Sequence, residues 1–520
     1  MSDQDTTPMY VLESRTPLYQ SMVWRLQRTF YGDQGIEAWS RSNVPQGITT
    51  SPNIARAYAR IVRGYFEDIQ QSLDPSQPVY IIELGAGSGR FAYRFLKALT
   101  HYQIPKFVYV MTDAIPTVMD FWQNNPRLRP FVDAGVLDFA QFDLLDLAPL
   151  TLLNSKVTLQ SGGVANPVVM VGNYIFDTIP QDAYTVKSRQ LFANLVTISA
   201  SAPELDLTAP DSRVRISITF GAAETPLDPN TEADPLVRDL LNAYAERLDN
   251  TTVMVPRAAM ACLRFFRDLG GGRAVCVIGD FGDTAEDELP EHGPPGFGAG
   301  GGLWLSVNFH ALGEYARALG GRARDPANRH IRLNVSAFLF GPNPFAHTDQ
   351  AFADTIDLHG PDDLAVLARS VAEAIPNLSF DVILALLRTT GWDTDYLMRS
   401  VPRLIEVLPG AEQRLRHEVP LGIQLAWDQY YPIGEQDDVP FGLGALLYTL
   451  ERYAEALEFF EISFRDFGED PRTTINLALT HYRLGHLSES LRWVDRTLAL
   501  DPEHEMARNM RPDIVADLAQ

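Results

Sequence analysis

The chain has 520 residues, 46% of them hydrophobic and 21% charged, and carries a formal net charge of −23. That length predicts two or three domains, and that charge argues against docking on nucleic acid, where affinity comes from Lys and Arg displacing phosphate counterions. An acidic surface would instead attract a basic substrate segment. No apolar run approaches the roughly 20 residues of a membrane span. The start, Met1-Ser2-Asp3-Gln4-Asp5, is unlike a secretory or organellar leader, and the two cysteines, Cys262 and Cys276, lie near no His cluster. Disulfide scaffolding, a structural zinc site and any other metal site are therefore not expected, and the expected compartment is cytoplasmic.

In chain order, residues 8–75 read as helical, with apolar positions in Tyr19–Phe30 and again in Ile54–Ile69. Between these, Val44–Asn53 is a loop by its Pro, Gly and Ser/Thr content. Ser51 or Asn53 suits the cap of the following helix and Pro52 its first turn. Val79–Arg90 then reads V-Y-I-I-E-L-G-A-G-S-G-R, followed by a helical pattern over Phe91–Leu99. A short apolar run before a glycine cluster predicts a buried parallel strand, a tight turn and a first crossover helix. Gly85, Gly87 and Gly89 serve a backbone that turns sharply beside a ligand. A nicotinamide fingerprint, G-x-G-x-x-G, would need glycine where Arg90 stands.

A second strand, Phe107–Thr112, ends in Asp113, placed to accept hydrogen bonds from the hydroxyls of a ribose. A third strand, Val136–Asp143, ends in Asp143, where a likeness to methyltransferases implies a carboxylate near an adenine amino group, with Leu144 or Phe142 against the ring; a helix cap or a solvated role is the alternative for Asp143. The fourth, Pro167–Gly172, runs into Asn173-Tyr174-Ile175-Phe176-Asp177-Thr178-Ile179-Pro180. Residues just past the C-terminal ends of central strands face the ligand crevice of an open parallel sheet, so Asn173 to Phe176 are candidates for presenting a substrate. The alternative is a capping Asn173 with Phe176 in the core. Hairpin strands over 184–220, a helix at Pro235–Leu248, strands at Ala274–Gly279 and Leu333–Phe340 and a helix from Ser306 to Leu319 complete this part. Residues 283–302 are expected to be a flexible loop, either a cover for the crevice or a plain connection. Pro342–Pro361 reads as a linker and the remainder as all-helical. Tyr453 and Leu487 stand 34 positions apart, the tetratricopeptide period, with Ala456 and Ser490 as matching small residues. Two such units need flanking helices to complete a core.

The glycine pattern E-x-G-x-G-x-G resembles motif I of class I S-adenosylmethionine-dependent methyltransferases, and Asn173-x-x-Phe176 resembles the N-P-P-Y-type motif of amino methyltransferases. Residues 15–341 further resemble the MidA family, which includes the mitochondrial complex I assembly arginine methyltransferase. The likeness is carried by Tyr31-Gly32 with Ile48–Pro52, Glu83–Gly89, Asn173–Pro180, Ile278–Gly282, Val307–Leu312 and Ala337–Leu339. Two positions depart from it. Tyr174 replaces the acidic residue of N-E-F-F-D, and Gln46-Gly47 replaces Gly-Asp before the T-S-P segment. If that acidic residue grips a guanidinium, arginine is in doubt as the acceptor.

The resemblance implies an α/β fold. A Rossmann-like, mostly parallel methyltransferase domain over 76–341 carries an inserted hairpin and helical region at 184–255. A helical segment, 1–75, covers its cofactor pocket; a linker, 342–360, leads to an all-helical domain, 361–520, with tetratricopeptide-like repeats at about 440–502. The implied cofactor is S-adenosyl-L-methionine, held by Thr50, Ser51, Glu83, Gly85, Ala86, Gly87, Gly89, Asp113, Ala114, Asp143, Leu144 and Asn173. Asn173, Phe176 and Asp177 are the candidates for positioning the acceptor, with a structural cap as the equal alternative for Asp177. The first expectation is methylation of a nitrogen on a protein or peptide client held by the helical repeats. A small-molecule O- or N-methyltransferase and a non-catalytic scaffold are the alternatives; neither nucleic acid nor membrane is an expected partner, and a homodimer stays open.

Overall fold

The computed structural model describes residues 9–41, 44, 46–201, 216–291, 296–299 and 303–519. They form two compact units, 1–363 and 364–520. Among the described residues no helix is long and apolar enough to cross a membrane.

The first unit is built on a seven-stranded sheet: β1 (Val79–Leu84), β2 (Phe107–Asp113), β3 (Leu137–Gln141), β4 (Val168–Asn173), β5 (Ala274–Asp280), β6 (Arg322–Arg324) and β7 (Asn334–Phe340). Their order across the sheet is β6-β7-β5-β4-β1-β2-β3. β7 runs antiparallel to both of its neighbours, and the pairings from β5 to β3 are all parallel. This is the mostly parallel α/β sheet that the sequence predicts. Helices cover both faces of such a sheet, so its strands are apolar runs rather than alternations; every residue of β5 and of β7 is buried. From β1 the chain steps outward through β2 to β3, then returns to the other side of β1 for β4. That reversal opens a crevice beyond the C-terminal ends of β1 and β4, the place where open α/β sheets bind ligands.

Three helices stand before the sheet in sequence: α1 (Val23–Gln34), α2 (Glu37–Ser40) and α3 (Pro52–Ile69). The segment ahead of them departs from the helical expectation for residues 8–75. Tyr10–Pro17 is a strand, paired antiparallel with Gln190–Ala200. Tyr, Val and Thr favour the pleated surface, and the partner strand supplies the hydrogen bonds that a local helix would otherwise make. Gln190–Ala200 also pairs with Asp182–Lys187 and Ile216–Ala222, and Thr251–Val255 closes this second, antiparallel sheet. Val214 and Arg215, expected in the hairpin, lie outside the described residues.

The expected linker at 342–360 is structured. Ala346–Phe352 is α-helical and continues into a π-helical turn, Ala353–Asp357. Asp68 of α3 anchors it, its carboxylate accepting from the N–H groups of His347 and Thr348 at 3.0 and 2.9 Å and from the Thr348 hydroxyl at 2.6 Å. The Pro, Asp and His composition that suggested a linker is here a set of caps and anchors. In the loop expected over 283–302, Glu286–Glu291 is 3-10 helical and Gly298–Ala299 pairs with Leu303–Trp304, while residues 292–295 and 300–302 lie outside the described residues. The described part rests on α1, where the Leu303 N–H donates to Gln27 Oε1 at 2.8 Å and Phe297 meets the Trp24 ring edge-on at 6.0 Å.

The second unit is helical throughout. Its last five helices are Val439–Thr449, Tyr453–Phe467, Pro471–Arg483, Leu487–Leu500 and Glu505–Leu518. Tyr453 and Leu487, the equivalent positions of the sequence repeat, each open a helix. Ala456, Phe460, Ser490 and Val494 are all fully buried, consistent with small residues at the tight helix contacts and large ones filling the layer between.

Candidate functional site

The glycine segment forms the bend that its composition predicts. Gly85, Gly87 and Gly89 all have positive φ, +57°, +50° and +78°, a region that costs other residues roughly 1–2 kcal/mol. Gly89 is the N-cap of α4 (Arg90–Leu99). Neighbours hold the bend in place: the Ala86 N–H donates to Thr112 O at 2.9 Å, and the buried Trp122 indole N–H to Gly87 O at 2.8 Å. Asp113, at the end of β2, closes the arrangement. Its Oδ2 accepts from the Gly87 N–H at 3.2 Å and its Oδ1 from the Ile115 N–H at 3.0 Å.

Thr50, Glu83, Gly85, Ala86, Gly87, Asp113, Ala114, Asp143, Leu144 and Asn173 all line one cleft at the strand-order reversal. Its empty space, counting the part open to solvent, is about 1270 Å³. Four sequence candidates are placed elsewhere. Ser51 caps α3, its Oγ accepting from the Ile54 N–H at 3.3 Å. Gly89 acts through the helix it starts. Phe176 is fully buried in the hydrophobic core beneath the sheet end, so the aromatic face expected against a substrate is absent there. The turn after β4 explains this: Tyr174 takes a left-handed φ of +49° and Phe176 opens a 3-10 turn, which sends its ring inward. Asp177 is also buried, against Asp280 rather than in the cleft.

Two carboxylates dominate the cleft's electrostatics. Glu83 is pushed up to about 8, mainly by burial; the Tyr109 hydroxyl, donating to its Oε2 at 3.0 Å, opposes that rise, and Asp113 adds to it. Asp113 is pushed up to about 6, again by burial and against the backbone N–H groups of Ile115, Gly87 and Ala114. Buried carboxylates without a counter-charge are relieved by a cation. A ligand with an ammonium and a sulfonium group fits this pair. Asp143 is half-buried and engaged at both oxygens, by Arg28 of α1 at 2.6 Å and by the Leu145 N–H at 3.0 Å.

Asn173 lies at the end of β4, where its Oδ1 accepts from the buried Tyr58 hydroxyl at 2.7 Å. That bond occupies one lone pair of the oxygen expected to face a substrate. The neighbouring Gly279 is required by proximity, since a β-carbon there would lie 2.5 Å from the Tyr58 oxygen and 2.6 Å from Asn173 Oδ1. Tyr174 also lines the cleft and donates its hydroxyl to Arg332 O at 3.1 Å. Burial, with Asp280 nearby, holds that phenol above its ordinary range.

Several cleft residues escaped the sequence reading. Trp24, Gln27, Arg28 and Tyr31 of α1 and Trp39 of α2 form one wall, joined by Gln46, and Ile175, already among the Asn173–Phe176 candidates, lines the same cleft. Gln46 accepts through Oε1 from the Ser88 hydroxyl at 3.1 Å, tying the segment before α3 to the glycine bend. The amphipathic pattern of α1 marks these aromatics as inward-facing, yet periodicity does not separate a cleft wall from a core. Among the described residues no cluster of three or more His, Cys, Asp or Glu side chains is arranged to hold a metal ion.

Residues 61–293, just under half of the chain, match a family model described as "Putative S-adenosyl-L-methionine-dependent methyltransferase". That span holds the glycine bend, Asp113, Asp143 and Asn173. No curated protein matches the chain. Among solved structures, an uncharacterized protein from Burkholderia thailandensis is 14% identical with a TM-score of 0.39, over 63% of this chain and 88% of that one. A member of the same superfamily and organism, bound to S-adenosyl-homocysteine, is 15% identical with a TM-score of 0.40, over 66% of this chain and 91% of its own. Magnesium protoporphyrin IX methyltransferase from Synechocystis PCC 6803, also with S-adenosyl-homocysteine, is 8% identical with a TM-score of 0.29, over 61% and 99% respectively. At scores this low the chemistry is read from the chain's own residues.

Proposed function

We propose that this S-adenosyl-L-methionine-dependent methyltransferase transfers its methyl group to a nitrogen, other than a guanidinium, of a protein client presented by the helical repeats. The observation that carries the catalytic part is the bond from the Gly87 N–H to Asp113, which joins the glycine bend to the ribose-type carboxylate at the sheet's point of reversal. When bound, the cofactor supplies an electrophilic methyl on a sulfonium. In this reading Asp113 grips the ribose hydroxyls, Glu83 and the bend receive the amino-acid tail, and Asp143 with Leu144 borders the adenine. Asn173, Tyr174 and Ile175, past the end of β4, face the acceptor. Their task is alignment, because holding nucleophile, methyl carbon and leaving sulfur in line supplies several kcal/mol of rate through proximity. The acceptor must also arrive with a free lone pair.

The exclusion of a guanidinium rests on charge. Among the described residues the carboxylates lining the cleft are Glu83, Asp113 and Asp143, all at the cofactor end in this reading, and the position of the MidA-type acidic residue is Tyr174. The client reading is supported by the helical second unit with its 34-residue spacing, since stacked helical repeats offer extended concave surfaces for binding. A small planar acceptor is the second reading, favoured by the Trp24, Tyr31 and Trp39 wall. The test is lysate incubated with isotopically labelled methyl donor and either the wild type or Gly87→Asp. Label in polypeptide, lost with the variant, supports the first reading; label confined to small metabolites supports the second; no label above the variant's level overturns both.

A further inference from the structure

Behind the acceptor end of the cleft lies a group of contacts that methyl transfer itself does not use. Asp280, the last residue of β5, is fully buried. Its Oδ2 accepts from three successive backbone N–H groups, those of Ile175 at 3.2 Å, Phe176 at 2.8 Å and Asp177 at 3.3 Å, while its Oδ1 accepts from the Phe281 N–H at 2.8 Å. One carboxylate thus gathers the whole turn that follows β4. That turn contains Tyr174, with its left-handed φ, and Ile175, whose side chain lies 2.6 Å from where a β-carbon on Gly85 would sit. The turn therefore shapes both the cleft's acceptor end and the floor beneath the glycine bend. Asp177, whose own N–H already donates to Asp280, is 6% exposed and has a buried Oδ1 with no donor facing it, and the Asp280 carboxylate acts on its carboxyl group.

Two buried carboxyl groups that act on each other, with no donor facing the Oδ1 of one of them, do not both ionise; one keeps its proton and donates it to the other. We propose that Asp177 and Asp280 are a proton-sharing pair of positioning residues, in which a protonated Asp177 donates to the Asp280 carboxylate and so fixes the 174–177 turn against the cofactor cleft. Around Asp177 and Asp280 stand the Tyr58 hydroxyl from α3 and the Tyr174 hydroxyl from the turn itself, both kept neutral by burial and by Asp280, with Asp362 and Arg332 acting on the same Tyr174. Burial and mutual repulsion hold both carboxyl groups above the usual carboxylate range. The sign follows from that direction: the folded state retains a proton that the unfolded chain releases, so the pair's contribution to stability is lost as pH rises.

The proposal deepens the methyltransferase reading, and its test separates the two. Asp177→Asn replaces the shared proton with a permanent N–H donor of the same shape. Thermal unfolding is measured from pH 5.5 to 9 for the wild type, Asp177→Asn and Asp177→Ala, with S-adenosylmethionine affinity followed by calorimetry at each pH. The expected result is that Asp177→Asn loses less stability than the wild type as pH rises. It should also bind S-adenosylmethionine within about threefold of the wild type, while Asp177→Ala binds at least about tenfold more weakly, a loss of roughly one hydrogen bond's worth. Parallel stability curves for the wild type and Asp177→Asn overturn the shared proton, and equal cofactor affinity in all three proteins overturns the positioning role. If Asp177→Ala does not fold, the wild type and Asp177→Asn curves decide. A wild type that binds no S-adenosylmethionine counts against the methyltransferase reading and leaves the stability comparison standing.

Discussion

Trp39 lies flat against the glycine bend, its ring 2.7 Å from the position a β-carbon on Gly87 would take. The indole is itself stacked on Tyr31, with centroids 5.9 Å apart and planes inclined by 25°. Gly87 is thus constrained twice, by a φ of +50° and by this contact. Gly87→Ala is expected to lower stability by about 1–3 kcal/mol from backbone strain and displacement of the ring. It should weaken S-adenosylmethionine binding at least about tenfold; differential scanning fluorimetry and calorimetry measure the two. Full affinity in that variant would mean that the bend does not touch the cofactor.

Glu83 predicts a proton linkage. Its carboxyl is pushed from 4.5 up to about 8, so over that window the folded, ligand-free protein holds a proton and loses stability as pH rises, by at most about 1.4 kcal/mol per pH unit. A cationic ligand reverses the effect by favouring the carboxylate. S-adenosylmethionine binding should therefore tighten from pH 6 to about 8 and release a proton, seen as a buffer-dependent heat in calorimetry. Glu83→Gln should remove both signatures.

Asp113→Ala removes a buried acceptor that both orders the bend and faces the ribose. Charge-assisted hydrogen bonds are worth roughly 1.5–3 kcal/mol, so a loss of S-adenosylhomocysteine affinity of at least about tenfold is expected. The same variant should bind adenine alone as the wild type does. An equal loss for adenine would show that the substitution acts on the fold and not on the ribose.

Arg28 and Asp143 make an exposed pair, with 54% and 28% of their side chains accessible. Such pairs contribute about 0–1 kcal/mol, so Arg28→Ala should leave thermal stability nearly unchanged. It frees a carboxylate at the adenine end, and S-adenosylmethionine is expected to bind up to a few-fold tighter at low salt, with the gain fading near 0.5 M salt as screening grows. Weaker binding in Arg28→Ala would place Arg28 on the cofactor instead.

The backbone of the site was legible because its signals are local. Three glycines at alternate positions and Asp113 at a strand end announce themselves in a single chain, and the structure joins them through one hydrogen bond. The first strand was misread for the opposite reason: Tyr10–Pro17 is extended because Gln190–Ala200, far along the chain, pairs with it. Phe176 and Asp177 failed as cleft residues because one backbone event, the left-handed φ of Tyr174, decides which side of the turn each faces. Spacing alone does not encode that. The wall from α1 and α2 was hidden too, since Trp24, Tyr31 and Trp39 have the pattern of ordinary core aromatics.

The anchoring of the 342–360 segment sets where a shortened enzyme can end. Asn343 donates through its side chain to Asp68 O, and a β-carbon on Gly64 would lie 2.6 Å from His347 O, so α3 packs against this segment with no room to spare. Cutting after residue 341 would strip three donors from a half-buried carboxylate and bare the back of the helix whose Tyr58 steadies Asn173. A chain trimmed after Asp363, the end of the first compact unit, keeps those contacts, so loss of methylation in it would report on the missing repeats and not on a damaged catalytic half.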